Sequence, residues 1–355
     1  MKINVALFGL GRVGIMHAAD ISSHPKFNLK YVFDKNKKLS VKVSRKFKSQ
    51  NISNPSKAFT DKNIDLIFIA SSTPTHIPLI IRAAKSKKVI FCEKPIDLNI
   101  DKVIKCRKKI KKYKPRIQIG FNRRYDPGHY SLKESLLKGK IGRLEKIIIT
   151  SRDPAPPSLK YLKASGGIYR DMTIHDFDLV RFYLGKDRIK EVFASASNFV
   201  NKKLKKIKEY EISTCVLKSN SGVIAVINNS RHCSFGMDQR VEIFGTKGML
   251  ISGNRRIDET ESYFKSSTGS KKSFLNFFIE RYGPSYKLQL NSLASFFLKK
   301  SKPRANFNDG EKSLIKANSA YKYLNSRKVV KIKYFLLNHR LKQKYSIFLF
   351  NRFFV

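Results

Sequence analysis

The chain opens with a mostly apolar run, Lys2-Ile3-Asn4-Val5-Ala6-Leu7-Phe8, that stops at Gly9-Leu10-Gly11-Arg12-Val13-Gly14. A short apolar run bounded by glycines reads as a buried strand. Helix-like sequence follows at once through Met16, His17, Ala18 and Ala19. G-x-G-x-x-G between a strand and a helix permits a tight turn and close backbone approach, and the helix N-terminus presents amides to a pyrophosphate. Residues 29–34 read as a second strand ending in an acid, at the separation of a carboxylate that hydrogen-bonds an adenosine ribose. Gly9, Leu10, Gly11, Arg12, Val13, Gly14 and Asp34 are therefore expected to hold a dinucleotide. Asp34 would repel a 2′-phosphate, which favours NAD over NADP, with Lys35 and Lys37 as a partial counterweight.

The alternation continues. Residues 65–70, 89–92 and 116–121 read as strands, and residues 77–87 and 101–112 as helices, the second of them basic and amphipathic. Strands alternating with helices imply an α/β unit with a doubly wound parallel sheet and its site at the strands' carboxyl ends. One rim then gathers the glycine loop, the loop Ser72-Thr73-Pro74-Thr75-His76, Glu93-Lys94-Pro95 and Asn122-Arg123-Arg124. Ser72, Thr73, Pro74, His76, Glu93 and Lys94 join the expected cofactor contacts. His76 reads as a loop residue bordering the cofactor, with a merely exposed histidine as the alternative.

Beyond about residue 125 the pattern changes. Residues 144–150, 190–198, 211–217, 223–229, 239–244 and 249–252 read as strands separated by turns such as Ser219-Asn220-Ser221-Gly222. Strands without intervening helices suggest a large, mostly antiparallel open sheet in an α+β unit. Residues 286–299 and 309–325 read as helices and 329–332 as a last strand. The expected division is 1–122 for the Rossmann-type unit, 123–333 for the second unit and 334–355 for a basic-aromatic extension. The extension is expected to lack a function of its own, with an interfacial helix or a docking arm as the alternative.

Within the second unit, Asp171, His175 and Asp178 fall at i, i+4 and i+7 of an expected helix whose other faces carry Met172, Ile174, Phe177 and Leu179. That spacing puts a histidine between two carboxylates on one face. Such a stripe is either a paired structural network or a proton-handling site.

These strings together resemble the glucose–fructose oxidoreductase / inositol dehydrogenase / rhizopine-catabolism family. The resemblance is carried by the glycine motif with His17, Cys92-Glu93-Lys94-Pro95, Gly120-Phe121-Asn122-Arg123-Arg124-Tyr125-Asp126-Pro127, Ser151-Arg152-Asp153-Pro154 and Gly167 with Asp171-Met172-Thr173-Ile174-His175-Asp176-Phe177-Asp178. It runs from Lys2 to about Ile332, and several strings are similar to the inositol branch. The resemblance implies NAD-dependent oxidation of a cyclic polyol, most closely myo-inositol to 2-keto-myo-inositol (scyllo-inosose). A sister reaction on a sugar or another inositol isomer is the alternative, and a noncatalytic sugar-binding protein is more remote. It also implies Lys94 beside the reacting hydroxyl, His175 as general base and Asp171 orienting both. Asn122, Arg123, Asp153, Asp171, Met172, His175 and Asp178 are the implied substrate contacts. A cis peptide before Pro95, substrate binding by the second unit and a homodimer or homotetramer built through the open sheet face are implied too. One position departs from the inositol branch: Gly236-Met237-Asp238-Gln239-Arg240 has methionine where a tyrosine is usual. The loss of one neutral hydrogen bond, about 0.5–1.5 kcal/mol, would shift preference without abolishing the reaction.

Composition sets the remaining bounds. Cys92, Cys106, Cys215 and Cys233 show no C-x-x-C pairing, so neither a disulfide framework nor a metal site is expected, in keeping with a cytoplasmic protein. No apolar run reaches the ~18 residues of a membrane span. The formal charge of +47 would suit a nucleic-acid binder. Its lysines are spread over both units without a recognition motif, so a solvated basic surface is expected and no specific nucleic-acid partner.

Overall fold

A computed structural model describes residues 2–200, 202–207 and 209–332. The extension expected at 334–355 lies outside the described residues. β1 (Ile3–Phe8), β2 (Phe27–Phe33), β3 (Gln50–Asn51), β4 (Leu66–Ile69), β5 (Val89–Cys92) and β6 (Ile117–Ile119) form one sheet in the order β3-β2-β1-β4-β5-β6, with every pair parallel. β4 and β5 are buried at every residue, as strands covered by helices on both faces must be. The crossovers are α1 (Arg12–Ser23), α2 (Lys37–Lys46), α3 (Lys57–Thr60), α4 (His76–Lys85) and α5 (Ile100–Ile110). The strand order reverses between β1 and β4, so their carboxyl ends open a crevice beside the glycine loop.

After α6 (Pro127–Leu137), β7 (Leu144–Arg152) begins the second sheet. The chain then runs through α7 (Leu159–Ser165) and α8 (Thr173–Leu184) into β8 (Ile189–Ser197), β9 (Ile212–Ser219), β10 (Ile224–Ser230), β11 (Asp238–Gly245) and β12 (Gly248–Ser252). A small hairpin, β13 (Glu261–Phe264) with β14 (Ser267–Lys271), precedes α9 (Phe278–Phe297), α10 (Phe307–Ser326) and β15 (Val330–Lys331). The sheet order is β12-β11-β7-β10-β9-β8-β15. It is antiparallel except for β7 and β10, which are parallel at its centre.

Alternation along these strands turns Ile147, Ile149, Ile227, Val241 and Ile243 into a core shared with Phe177 and Val180 of α8 and Ala317 and Ala320 of α10. Leu314, one turn earlier on α10, packs in the core of the first sheet, so α10 ties the two units together. α9 starts at Phe278, eight residues before the start expected from sequence, because the helix carries Pro284 inside it where a proline normally marks a boundary. All four cysteines are free and buried. No helix among the described residues is long and apolar enough to cross a membrane.

Candidate active site

The crevice at the sheet switch point continues across the second unit as one cleft of about 1310 Å³. Its nucleotide end is built by glycines with different jobs. A Cβ on Gly9 would meet the backbone of Ser71 at 2.3 Å, and one on Gly14 would meet the Gly9 carbonyl oxygen at 2.0 Å, so both positions exclude any side chain. A Cβ on Gly11 would meet nothing within 4 Å, which leaves open space directly before the first turn of α1. That turn has no side-chain cap and no acidic residue, leaving its amides available to an anion. This cradle fits the pyrophosphate of a dinucleotide.

Gly9, Gly11, Arg12, Val13, Asp34, Ser72 and Pro74 line the cleft, and four other expected contacts do not. The Leu10 side chain is wholly buried in the core, while its amide donates to Asp34 Oδ2 at 2.7 Å. Gly14 serves packing. Thr73 faces a separate hollow beside Asp97 and Arg170. His76 is not exposed and does not line the cleft: its ring, 1% exposed, lies within hydrogen-bonding distance of the carbonyls of Pro95 (2.8 Å) and Ser71 (2.9 Å). Burial holds its pKa below the ordinary value.

Glu93 and Lys94 follow β5 into the cleft, and the Lys94–Pro95 peptide is cis. Glu93 Oε1 pairs with buried His17 Nε2 at 2.8 Å, and its carboxylate lies over Gly120, where a Cβ would come within 2.6 Å of it. His17 packs edge-on to Phe91 and Tyr286, so the ring that fixes Glu93 is itself fixed.

Lys94 Nζ donates to the Asp171 carbonyl at 2.8 Å and to Asp171 Oδ1 at 3.3 Å. Arg231 donates to Asp171 Oδ2 at 3.2 Å and Tyr161 to Oδ1 at 3.1 Å. Burial raises the Asp171 pKa, but the Lys94 and Arg231 charges outweigh it and hold the carboxyl below its usual range. His175 lines the same wall. The expected contact of His175 with carboxylates is not formed; its Nδ1 has no hydrogen-bond partner, and the ring stands edge-on to Phe121. Burial, then the charges of Lys94 and Arg123, push its pKa well below the ordinary value, so it is a neutral imidazole.

The three-residue stripe does not act as one site. Residues Ile168–Met172 form a π-helical turn that leads into α8 and carries Asp171 to the cleft wall. Asp178, seven residues and about two turns further on, lies outside the cleft. Both its oxygens are held by Arg124, at 2.6 and 2.7 Å, and Ser313 donates to Oδ1 at 3.3 Å. Asp178 is therefore a buried tie within the second unit and does not line the cleft. Asn122, Arg123, Asp153 and Met172 do line the cleft. Arg123 is anchored by Asp176 at 2.5 Å and Ser151 at 2.8 Å. Burial raises the Asp153 pKa against the pull of Arg231 and Arg123.

Sequence reasoning missed Tyr161, Arg231, Tyr282 and Tyr286, all of which line the cleft. None belongs to a spaced motif. Only the buried position of Arg231 at the end of β10 singles it out, and that required the fold. Met237, the departure noted in the sequence, is 4% exposed and packs with Tyr282 and Tyr286 at the cleft wall.

Residues 3–121 match the oxidoreductase family with an NAD-binding Rossmann fold, and residues 129–251 match the GFO/IDH/MocA C-terminal domain. The chain is 36% identical to the myo-inositol 2-dehydrogenase of Thermotoga maritima, over 93% of this chain and 98% of that protein. It is 30% identical to the scyllo-inositol 2-dehydrogenase (NAD(+)) of Bacillus subtilis, over 82% of this chain and 85% of that protein. The crystal structure of a myo-inositol dehydrogenase from Corynebacterium glutamicum superposes with a TM-score of 0.90 at 36% identity, covering 94% of this chain and 99% of the other. With a nucleotide cradle, an acid-base wall and full-length relatives of one kind, the chain belongs to the GFO/IDH/MocA family of NAD-binding oxidoreductases.

Proposed function

We propose that the protein oxidises a cyclic polyol with NAD, and that myo-inositol, converted to 2-keto-myo-inositol (scyllo-inosose), is the substrate that fits best. The observation that carries this reading is the convergence of Lys94, Asp171 and His175 on one wall of the cleft that begins at the glycine cradle. NAD, when bound, supplies the hydride acceptor. Lys94 holds its ammonium against the substrate oxygen, where it stabilises developing alkoxide. Asp171 aims that ammonium through its carbonyl and its carboxylate. His175, neutral beside two cations, takes the hydroxyl proton. Once protonated it faces Lys94 and Arg123, which favours passing the proton on to water. Asn122, Arg123 and Asp153 offer the ring hydroxyls a mixed set of donors and acceptors.

One observation favours the sister reaction on another inositol isomer or a sugar. Met237 presents a thioether where a phenol would donate, so the cleft wall is less polar there. Purified protein with NAD and a panel of myo-, scyllo- and chiro-inositol and glucose separates the two readings. NADH formation fastest with myo-inositol supports the first, preference for another member supports the second, and no turnover of any member refutes both.

The protein also assembles as a homodimer or homotetramer through the open face of its second sheet, on this reading. Phe244 pairs with Met249 and Glu242 with Ile251 across β11 and β12. Those apolar side chains are 44%, 48% and 56% exposed, continuing toward Ile224 on β10 at 42%.

A further inference from the structure

Two of the three donors to Asp171, Arg231 and Tyr161, have no place in the scheme above. Tyr161 comes from the short helix α7, whose single buried residue is Leu162. Lys94 and Arg231 are largely buried, whereas Tyr161 is 50% exposed and lines the cleft. A half-exposed phenol buries little surface for its size, so packing is a poor account of why it reaches Asp171. Burial and the Asp171 charge raise its pKa above the ordinary phenol value, which keeps it a neutral hydroxyl.

A hydroxyl that has given its hydrogen keeps oxygen lone pairs. Tyr161 Oη and Asp171 Oδ1 are thus two acceptors 3.1 Å apart on one wall of the cleft, Oδ1 becoming free to accept when the Lys94 ammonium, 3.3 Å from it, turns to the reacting hydroxyl. That is close to the separation of neighbouring hydroxyl oxygens on a six-membered ring. We propose that Tyr161 and Asp171 form a clamp for a vicinal diol, accepting hydrogen bonds from two adjacent hydroxyls beside the carbon that is oxidised. The clamp rests on the polyol reading above and makes Tyr161 a specificity residue. It recruits a phenol from α7 in a cleft whose β11 end carries Met237.

The test compares wild type with Tyr161→Phe on the best inositol and on mono-deoxy analogues that lack one ring hydroxyl in turn. Phenylalanine keeps the ring and removes only the oxygen. Wild type is expected to exceed Tyr161→Phe about fivefold in kcat/KM on the full polyol, the effect of one neutral hydrogen bond, mainly through KM for the polyol. On the one analogue that lacks Tyr161's partner hydroxyl, the two proteins should be equal. KM for NAD should be unchanged. A parallel loss across every analogue, or no loss on the full polyol, overturns the clamp while leaving the polyol reading intact. No turnover of any polyol by wild type overturns that reading and the clamp with it.

Discussion

Asp171 and Asp178 sit seven residues apart on one segment, yet their surroundings give them opposite work. Asp171 takes a lysine, an arginine and a phenol at the cleft wall. Asp178 is consumed by Arg124, and removing one partner of such a buried pair costs about 3–5 kcal/mol. Spacing alone placed both on one face, and it could not see that an arginine from the turn Asn122–Tyr125 would reach one of them. Spacing marked His175 only as a candidate proton handler, the family resemblance gave it the role of base, and its electrostatics were not legible, because Lys94 and Arg123 arrive from other elements. With His175 in the proposed role of base, its lowered pKa has a kinetic consequence: the imidazole stays unprotonated to lower pH than an ordinary one. The acid limb of kcat/KM for polyol oxidation should therefore fall below the usual 6.5 of histidine. His175→Gln should lower kcat about 10²–10⁴-fold and abolish that limb. A pH–rate profile with the limb unchanged in the variant would assign it to another group.

At the scale of elements, the glycine loop and the strand ends were the most readable parts, because glycine geometry is local. What stayed hidden were the ties between elements. Asp126 illustrates this: it caps α6 through the amides of Gly128 and His129, and its other oxygen takes Arg281 of α9 at 2.7 Å. His129, 1% exposed beside it, has its pKa lowered to about 4 by burial, against the pull of Asp126. A depressed histidine leaves stability intact above pH 6.5, where both states are neutral. Stability then falls as the unfolded chain takes up the proton between pH 6.5 and about 4, by about 3 kcal/mol for this residue. Denaturant unfolding across that window should show the decline, and His129→Gln should flatten it. An equal slope in the variant would place the linkage elsewhere, for instance on buried His76 or His175.

For the whole molecule, α9 and α10 both join the two units: α9 sets Leu290 and Leu293 in the core of the first sheet, and α10 has Leu314 in one core and Ala317 and Ala320 in the other. The Arg124–Asp178 pair fastens α10 to α8 through Ser313. Two alternating patterns in the sequence were enough to foresee two sheets, whereas the parallel pairing of β7 with β10 depended on long-range contacts no local pattern encodes. The formal charge of +47 opposes association at low salt, while the apolar face of β10 to β12 favours it. Light scattering at about 0.15 M salt, where surface charge is screened beyond roughly 8 Å, should show a dimer or tetramer. Ile251→Lys, on the edge strand of that face and its most exposed apolar side chain, should shift it to a smaller species, and an unchanged mass would move the interface off the sheet. The most direct measurement of the whole account is the rate of NADH formation from myo-inositol by wild type and by Lys94→Ala, with NAD binding measured on both. NAD reduction by wild type and a loss of about 10³-fold or more in kcat for Lys94→Ala, with NAD still bound, is the expected result. An inert wild type, or a variant as fast as wild type, would contradict it.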